Sequence, residues 1–250
     1  MKYLIQNTTE FEDKLIRTQL KNTDVIAYAP GSDVIPIGDI DFVTAALKQA
    51  YPNFDKPVPI EIPIYLQTPE FLKRTYKIGT WKDIPETGRW FIKDASELKS
   101  FSLCSNMDFW YNEEIFDYKP KHEYDMTLSL SKAHDYVISS PVKILSEFRV
   151  YVINRNIIDI SFYKGDPTIL PDVNLIKKAV QLINENEEYL KSYTIDVMIT
   201  PKGTALIEIH NFSSIGLYTT IFDHDLLLAY EQGIDYLLKD NSIKYKEVII

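Results

Sequence analysis

Asp196 and Glu208 have the most informative spacing in this chain. Each sits in a short run of mostly apolar and β-branched residues, Thr194-Ile195-Asp196-Val197-Met198-Ile199-Thr200 and Thr204-Ala205-Leu206-Ile207-Glu208-Ile209-His210. Pro201-Lys202-Gly203 between them reads as a three-residue hairpin loop, with glycine where a left-handed residue is needed. That loop pairs Thr200 with Thr204, and counting back puts Asp196 directly opposite Glu208 on one face. Like charges directly opposite destabilise a sheet. At about 5 Å and an effective dielectric of about 20, the repulsion is about 3 kcal/mol. A shared proton, a lysine or arginine, or a divalent cation would each offset it. A different register, with one acid salt-bridged and the other exposed, is the plainer alternative. An oxygen-rich cleft suits Mg²⁺, especially where phosphates complete its shell. Asn211, three residues after Glu208, adds a neutral oxygen.

A second pair of runs lies upstream. Glu147–Ile153 and Ile158–Tyr163 both alternate, around the turn-like Asn154-Arg155-Asn156. A three-residue loop pairs Ile153 with Ile157, and so Arg149 with Ser161 and Glu147 with Tyr163. Phe148, Val150 and Val152 then share a face with Ile158, Ile160 and Phe162. The other face carries Glu147, Arg149, Tyr151, Asp159, Ser161 and Tyr163. It reads either as a solvated face with a surface ion pair or, given its tyrosines and arginine, as the wall of a cleft. Lys93 closes the apolar run Trp90-Phe91-Ile92, and Lys99 follows six residues later. Beside an acidic cleft such a lysine suits phosphate as a point charge; alone it is ordinarily solvated, as are Arg74 and Lys77.

The elements that must position these residues form two stretches. Lys2–Gln6 reads as a strand, and Thr9-x-x-Glu12 is a capping box opening a helix to about Asn22. Val25–Ala29 reads as a second strand, and Asp39 caps a helix to Tyr51. This β-α-β-α opening predicts a small α/β unit. Pro57 to Pro63 is an extended connector, and Pro69 opens a short helix. Arg89–Lys93 reads as a strand, and the aperiodic residues Asn106–Met126 as loop or partly ordered cover. The last hundred residues predict two hairpins with a helix between them and one after. The middle helix spans about Asp172–Lys191, with Val173, Ile176, Val180 and Ile183 along one side. The last spans about Asp223–Lys239, with Asp223 as cap.

Composition narrows the function. The 250 residues carry 27 Lys plus Arg against 36 Asp plus Glu, a net charge of −9. That balance argues against a general grip on nucleic acid, although Lys119-Pro120-Lys121-His122 is locally basic. One cysteine, Cys104, excludes an internal disulfide or a cysteine-built zinc site and suits the cytoplasm. No apolar run of about 18 residues predicts a membrane span, and the N-terminus turns polar too early for a signal peptide. The eight glycines nowhere make a glycine-rich phosphate loop. His122, His134, His210 and His224 lack zinc-protease spacing. His210 is also a candidate base beside the acids.

Taken in order, these residues resemble the ATP-grasp superfamily, and more narrowly its phage and bacterial clade named for an arginine and two lysines. The passages that carry the resemblance are Ile35–Phe42, Phe91-Ile92-Lys93 to Lys99-Ser100-Phe101, Val137–Val142, Ser146-Glu147-Phe148-Arg149, Ile207–Phe212 and Gly216-Leu217-Tyr218. The resemblance implies an α+β fold in which two α+β subdomains grip ATP after a small N-terminal α/β domain. The expected division is 1–85 for that domain and 86–250 for the ATP-grasp part, split at 86–140 and 141–250. It implies an enzyme, a Mg²⁺-dependent ligase that activates a carboxylate as an acyl-phosphate for attack by an amine or thiol. Its partners would be small-molecule, peptide or protein substrates. By position, Lys93 and Lys99 would contact ATP phosphates, and Ser139, Ser140, Pro141 and Val142 would offer backbone groups to adenine. Glu147 and Arg149 would line the nucleotide site, Arg149 facing the γ-phosphate or acyl-phosphate together with Lys99 as the catalytic pair. Asp196, Glu208 and Asn211 would hold Mg²⁺. Two departures stand out. Many members read Glu-x-Asn where this chain has His210 at the plus-two position, so Asn211 reaches the metal through a bulge or one ligand is missing. The stretch Asp94–Ser105 also lacks the glycines of a phosphate lid. Both motivate the alternative of a catalytically inactive ATP-binding or protein-interaction module.

Overall fold

The computed structural model describes residues 2–7, 16–20, 24–55, 60–85, 87–95, 102–106, 135–218 and 225–247. Near the N-terminus, Lys2–Ile5 (β1), Val25–Ile26 (β2) and Val34–Ile37 (β3) form a parallel sheet in the order β2-β1-β3. Residues 16–19 are helical; Thr9 and Glu12 of the expected capping box lie outside the described residues. The second strand is shorter than expected, and β3 was not anticipated because Pro36 interrupts it. An edge strand tolerates that proline, since its missing N–H faces away from the ladder. Ile40–Ala50 (α1) follows as predicted, with Asp39 accepting from the Phe42 amide at 2.8 Å.

Pro69–Leu72 (α2) leads into a second sheet of Tyr76–Thr80 (β4), Arg89–Asp94 (β5), Ser102–Asn106 (β6) and Asp135–Ser139 (β7). It is antiparallel, in the order β4-β7-β5-β6. Only β5 was legible beforehand. Asn106 ends β6 instead of opening a loop, and β4 is a weak run holding Gly79. β4 also joins a sheet whose other strands lie beyond residue 86, so the sheet reaches back across the expected boundary. Alternation along β5 buries Ile92 with Ile84, Tyr136 and Ile138, and turns Phe91 and Lys93 to the opposite face.

The third sheet is Ser146–Ile153 (β8), Asn156–Gly165 (β9), Tyr193–Thr200 (β10) and Gly203–Asn211 (β11), in the order β11-β10-β8-β9. Both hairpins correct the expected loops. Asn154 and Arg155 both take left-handed φ, 48° and 68°, in a two-residue turn that pairs Ile153 with Asn156. A bulge beside Tyr151 and Val152 then restores Arg149 opposite Ser161. Its cost is Ile158, left 37% exposed while Ile157 takes the core place opposite Val152. A second bulge puts Glu147 opposite Lys164, not Tyr163. In the other hairpin Thr200 pairs with Gly203 (φ 106°), one residue earlier than expected, and a bulge at Ile207 restores Asp196 opposite Glu208.

Val173–Asn186 (α3), capped by Asp172, covers one face of this sheet. Its Ile176, Val180 and Ile183 pack with Val150, Ile195 and Val197, joined by Leu66 and Phe71 of the preceding connector. Each such side chain contributes about 1.5–3 kcal/mol by burial. The helix ends at Asn186, short of Lys191, where Arg155 of the β8–β9 turn donates to the carbonyls of Asn184, Glu187 and Glu188. Val173 is exposed instead of joining the apolar side. The last helix, Leu226–Glu247 (α4), runs past Lys239; Asp223 lies outside the described residues. Its Leu226 and Tyr230 pack with Tyr3 and Ile37 of the first sheet and with Tyr151 and Ile153.

Candidate functional site

The face of the third sheet away from α3 is ordered in rows. One row crosses all four strands as Ser161, Arg149, Asp196 and Glu208. The next reads Asp159, Tyr151, Thr194 and His210. With the observed two-residue turns, uninterrupted alternation would have put Ile160 opposite Arg149 and Ile207 opposite Asp196; the bulges at Ile158 and Ile207 bring Ser161 and Glu208 to this face instead.

Arg149 grips Asp196 with a bidentate pair, Nε to Oδ1 and Nη2 to Oδ2, both at 2.7 Å. Its Nη1 donates to the Gly216 carbonyl at 2.9 Å, and its guanidinium lies 5.0 Å from the Tyr218 ring centre. Both partners are buried, Arg149 at 8% exposure and Asp196 at 3%. Burial acts to lower the Arg149 pKa, but the hydrogen bonds and charge of Asp196 more than reverse it, so the guanidinium is held cationic. The Tyr151 hydroxyl accepts from the Tyr218 amide at 2.8 Å, and burial pushes its pKa up to about 12. Tyr163 stacks on Tyr218 with ring centres 4.9 Å apart and donates to Glu147 at 2.8 Å. Lys164 is 3.3 Å from the same carboxylate.

Glu208 is held differently. Lys93 reaches it from the second sheet, Nζ to Oε2 at 2.7 Å, and His210 Nε2 lies 3.0 Å from Oε1. Burial acts to raise the Glu208 pKa, but His210 and Lys93 outweigh it and hold the carboxyl well below its ordinary range. The facing acids are therefore offset by the chain's own cations, Arg149 on one and Lys93 on the other. Asp196, Glu208 and His210 still offer ligand atoms within 4.8 Å of one another. Asn211 does not join them. No register shift separates Glu208 from Asn211, so alternation turns Asn211 to the Tyr193 side. There its Oδ1 accepts from the amide and hydroxyl of Ser213.

Lys93, Glu208 and His210 also line a cavity of about 300 Å³ between the second sheet and β11. That is the lower end for a small-molecule site. Phe91, Val137 and Ser139 wall it on one side and Ile207 on the other, and Glu61, Arg74 and Tyr76 line it together with Ile60 and Ile62. Of the adenine stretch only Ser139 lines the cavity. Ser140 instead links back to Thr75, and Pro141 and Val142 lie beyond the lining. Glu61, Arg74 and Tyr76 were missed as site residues. Arg74 donates to the Leu206 carbonyl at 2.6 Å, and burial pushes its pKa down to about 10. The run Lys73-Arg74-Thr75-Tyr76-Lys77 holds an aromatic beside cations, a signal too common to single out. Lys99, His122, His134 and His224 lie outside the described residues. Among the described residues no helix is long and apolar enough to cross a membrane.

A family model described as ATP-grasp domain, R2K clade family 2, matches residues 71–225. Among solved structures, the chain is similar to D-alanyl-alanine synthetase A from Vibrio cholerae O1 biovar eltor str. N16961, with 12% identity and a TM-score of 0.58, over 96% of this chain and 98% of that one. It is also similar to a RimK domain ATP-grasp protein from Sphaerobacter thermophilus DSM 20745, with 13% identity and a TM-score of 0.50, again over 96% and 98%. At these identities the likeness shows the fold. No curated protein sequence matches the chain.

Proposed function

This chain belongs to the ATP-grasp domains of R2K clade family 2, and from that membership we propose an ATP-dependent ligase that activates a carboxylate as an acyl-phosphate for attack by an amine or thiol. The observation that carries this reading is the meeting of Lys93 and Glu208, from different sheets, in the wall of one cavity, with Glu208 in the same cross-strand row as Asp196 and Arg149. Phosphoryl transfer needs positioning and charge neutralisation more than covalent help from the protein. In this reading the substrate carboxylate attacks the γ-phosphorus, ADP leaves, and the nucleophile then displaces phosphate from the acyl carbon.

Lys93, with Lys99, neutralises the phosphates, and Arg149 faces the γ-phosphate or acyl-phosphate. A guanidinium has five N–H groups. Among the described residues the bonds to Asp196 and Gly216 use three, which leaves two for an anion. Glu147 and Tyr163 wall the same face. Ser139, which lines the cavity, would offer backbone groups to the base together with Ser140, Pro141 and Val142. Asp196 and Glu208 would hold Mg²⁺, and the donor set fits a divalent cation: two carboxylates converge with His210, beside the buried Thr194 hydroxyl, which has no hydrogen-bond partner among the described residues. When bound, the ion supplies charge neutralisation at the phosphates.

The neighbours named above include a D-alanyl-alanine synthetase, so amino acids and short peptides are the substrates to screen first. ADP release should depend on both a carboxylate and an amine or thiol, and should be lost in Asp196→Asn. Absence of nucleotide binding by calorimetry would overturn the reading. The internal neutralisation of Asp196 and Glu208 favours a second one, a module that binds nucleotide without turnover. Tight ATP binding with no release for any acceptor pair would select it.

A further inference from the structure

The residue at the plus-two position after Glu208 differs from the asparagine many ATP-grasp enzymes carry, and the fold keeps it at the acids. His210 is directly opposite Thr194, one row from Asp196 and Glu208, on the same face of β10 and β11. Its Nε2 stands 3.0 Å from Glu208 Oε1. Two donors about 2.1 Å from one ion and at right angles are about 3 Å apart, so this spacing matches adjacent ligands of an octahedral cation. A second feature points to the same spot. Thr194 is fully buried, and its hydroxyl has no hydrogen-bond partner among the described residues. A buried hydroxyl left unpaired costs about 1–3 kcal/mol, and this one lies between His210 and Tyr151 beside the acid pair. Asn211, the oxygen donor that would have kept the site all-oxygen, is turned to the other face and bonded to Ser213.

Ligand type sorts divalent ions. All-oxygen sets suit Mg²⁺, whereas an imidazole nitrogen favours transition ions. We propose that His210 is a direct ligand of the cation held by Asp196 and Glu208, and that the site therefore prefers a transition-metal ion to Mg²⁺. This rests on the reading of the cleft as an ATP-grasp nucleotide site.

The test uses the full chain with Mn²⁺ and the β,γ-methylene analogue of ATP, whose bridge contains no nitrogen. Pulsed electron paramagnetic resonance reads which nuclei touch the ion. The expected result is ³¹P coupling from the phosphates together with ¹⁴N coupling, the latter replaced by ¹⁵N coupling when the histidines are ¹⁵N-labelled. The labelled protein needs no substitution, so the result does not depend on a variant that folds. His210→Asn should remove the nitrogen coupling, keep the ³¹P coupling, and lower the Mn²⁺-over-Mg²⁺ affinity ratio at least fivefold. Phosphorus coupling without histidine nitrogen, or an unchanged affinity ratio in His210→Asn, overturns the His210 assignment and leaves the nucleotide site intact. Loss of both couplings overturns the nucleotide site as well.

Discussion

The two acids of this site face each other across one pair of strands, yet they are held in opposite ways. Asp196 is 4% exposed at its side chain and is locked by Arg149 from the adjacent strand of its own sheet. Glu208 is 29% exposed at its side chain and is held by Lys93 from a different sheet. The first contact is set by register and persists as long as the β8–β10 ladder does. The second exists only while the two sheets are close. One cation is thus fixed within a sheet, and the other bridges two sheets.

Breaking the rigid end should have the largest effect. Asp196→Ala strands the Arg149 charge, and removal of one partner of a buried pair costs about 3–5 kcal/mol. Urea denaturation should show a loss of that size, with binding lost too. A loss under about 1 kcal/mol would mean that the pair is not buried in solution. At the other end, Lys93→Met should change stability by only about 1 kcal/mol or less, because the bridge is partly solvated. Calorimetry should nevertheless show ATP affinity reduced at least tenfold; an unchanged affinity would separate Lys93 from the phosphates.

The Glu208 end should also respond to acid. Its carboxyl has a folded pKa below its ordinary value near 4.5. Its contribution is therefore complete above that value and is lost as pH falls below it toward the folded pKa. Denaturation midpoints measured from pH 6 downward should fall more steeply in the parent than in Glu208→Gln. Equal slopes would remove the Lys93–His210–Glu208 cluster as the cause. The smallest effect is expected at the wall beside Arg149. Tyr163→Phe keeps the ring stacked on Tyr218 and deletes the hydrogen bond to Glu147, at a cost of about 0.5–1.5 kcal/mol.

Much of this comparison was legible in the residues. The facing of Asp196 and Glu208 followed from alternation, although by two offsetting differences: the loop is one residue shorter than read, and a bulge at Ile207 restores the count. The same held for Arg149 and Ser161. Bulges leave no reliable mark in a single sequence, because they depend on which side chain the neighbouring layer accepts. That is why Ile157, not Ile158, entered the core, and why Glu147 shifted to Lys164. Strands β4 and β7 were missed because they are short and become strands by pairing with each other and with β5.

The sequence by itself determined the two hairpins, the capped helix between them, a helix after them, and an acidic, arginine-bearing polar face, because these rest on hydrophobic periodicity and local capping. Only the tertiary structure decided which cation meets which acid. Lys93 and Glu208 are 115 residues apart, and nothing local ties them. It also decided that His210 and not Asn211 joins the acids, since that choice turns on whether one more bulge follows Glu208, and none does. Alternation is a property of the chain; contact between two sheets is a property of how their buried faces pack.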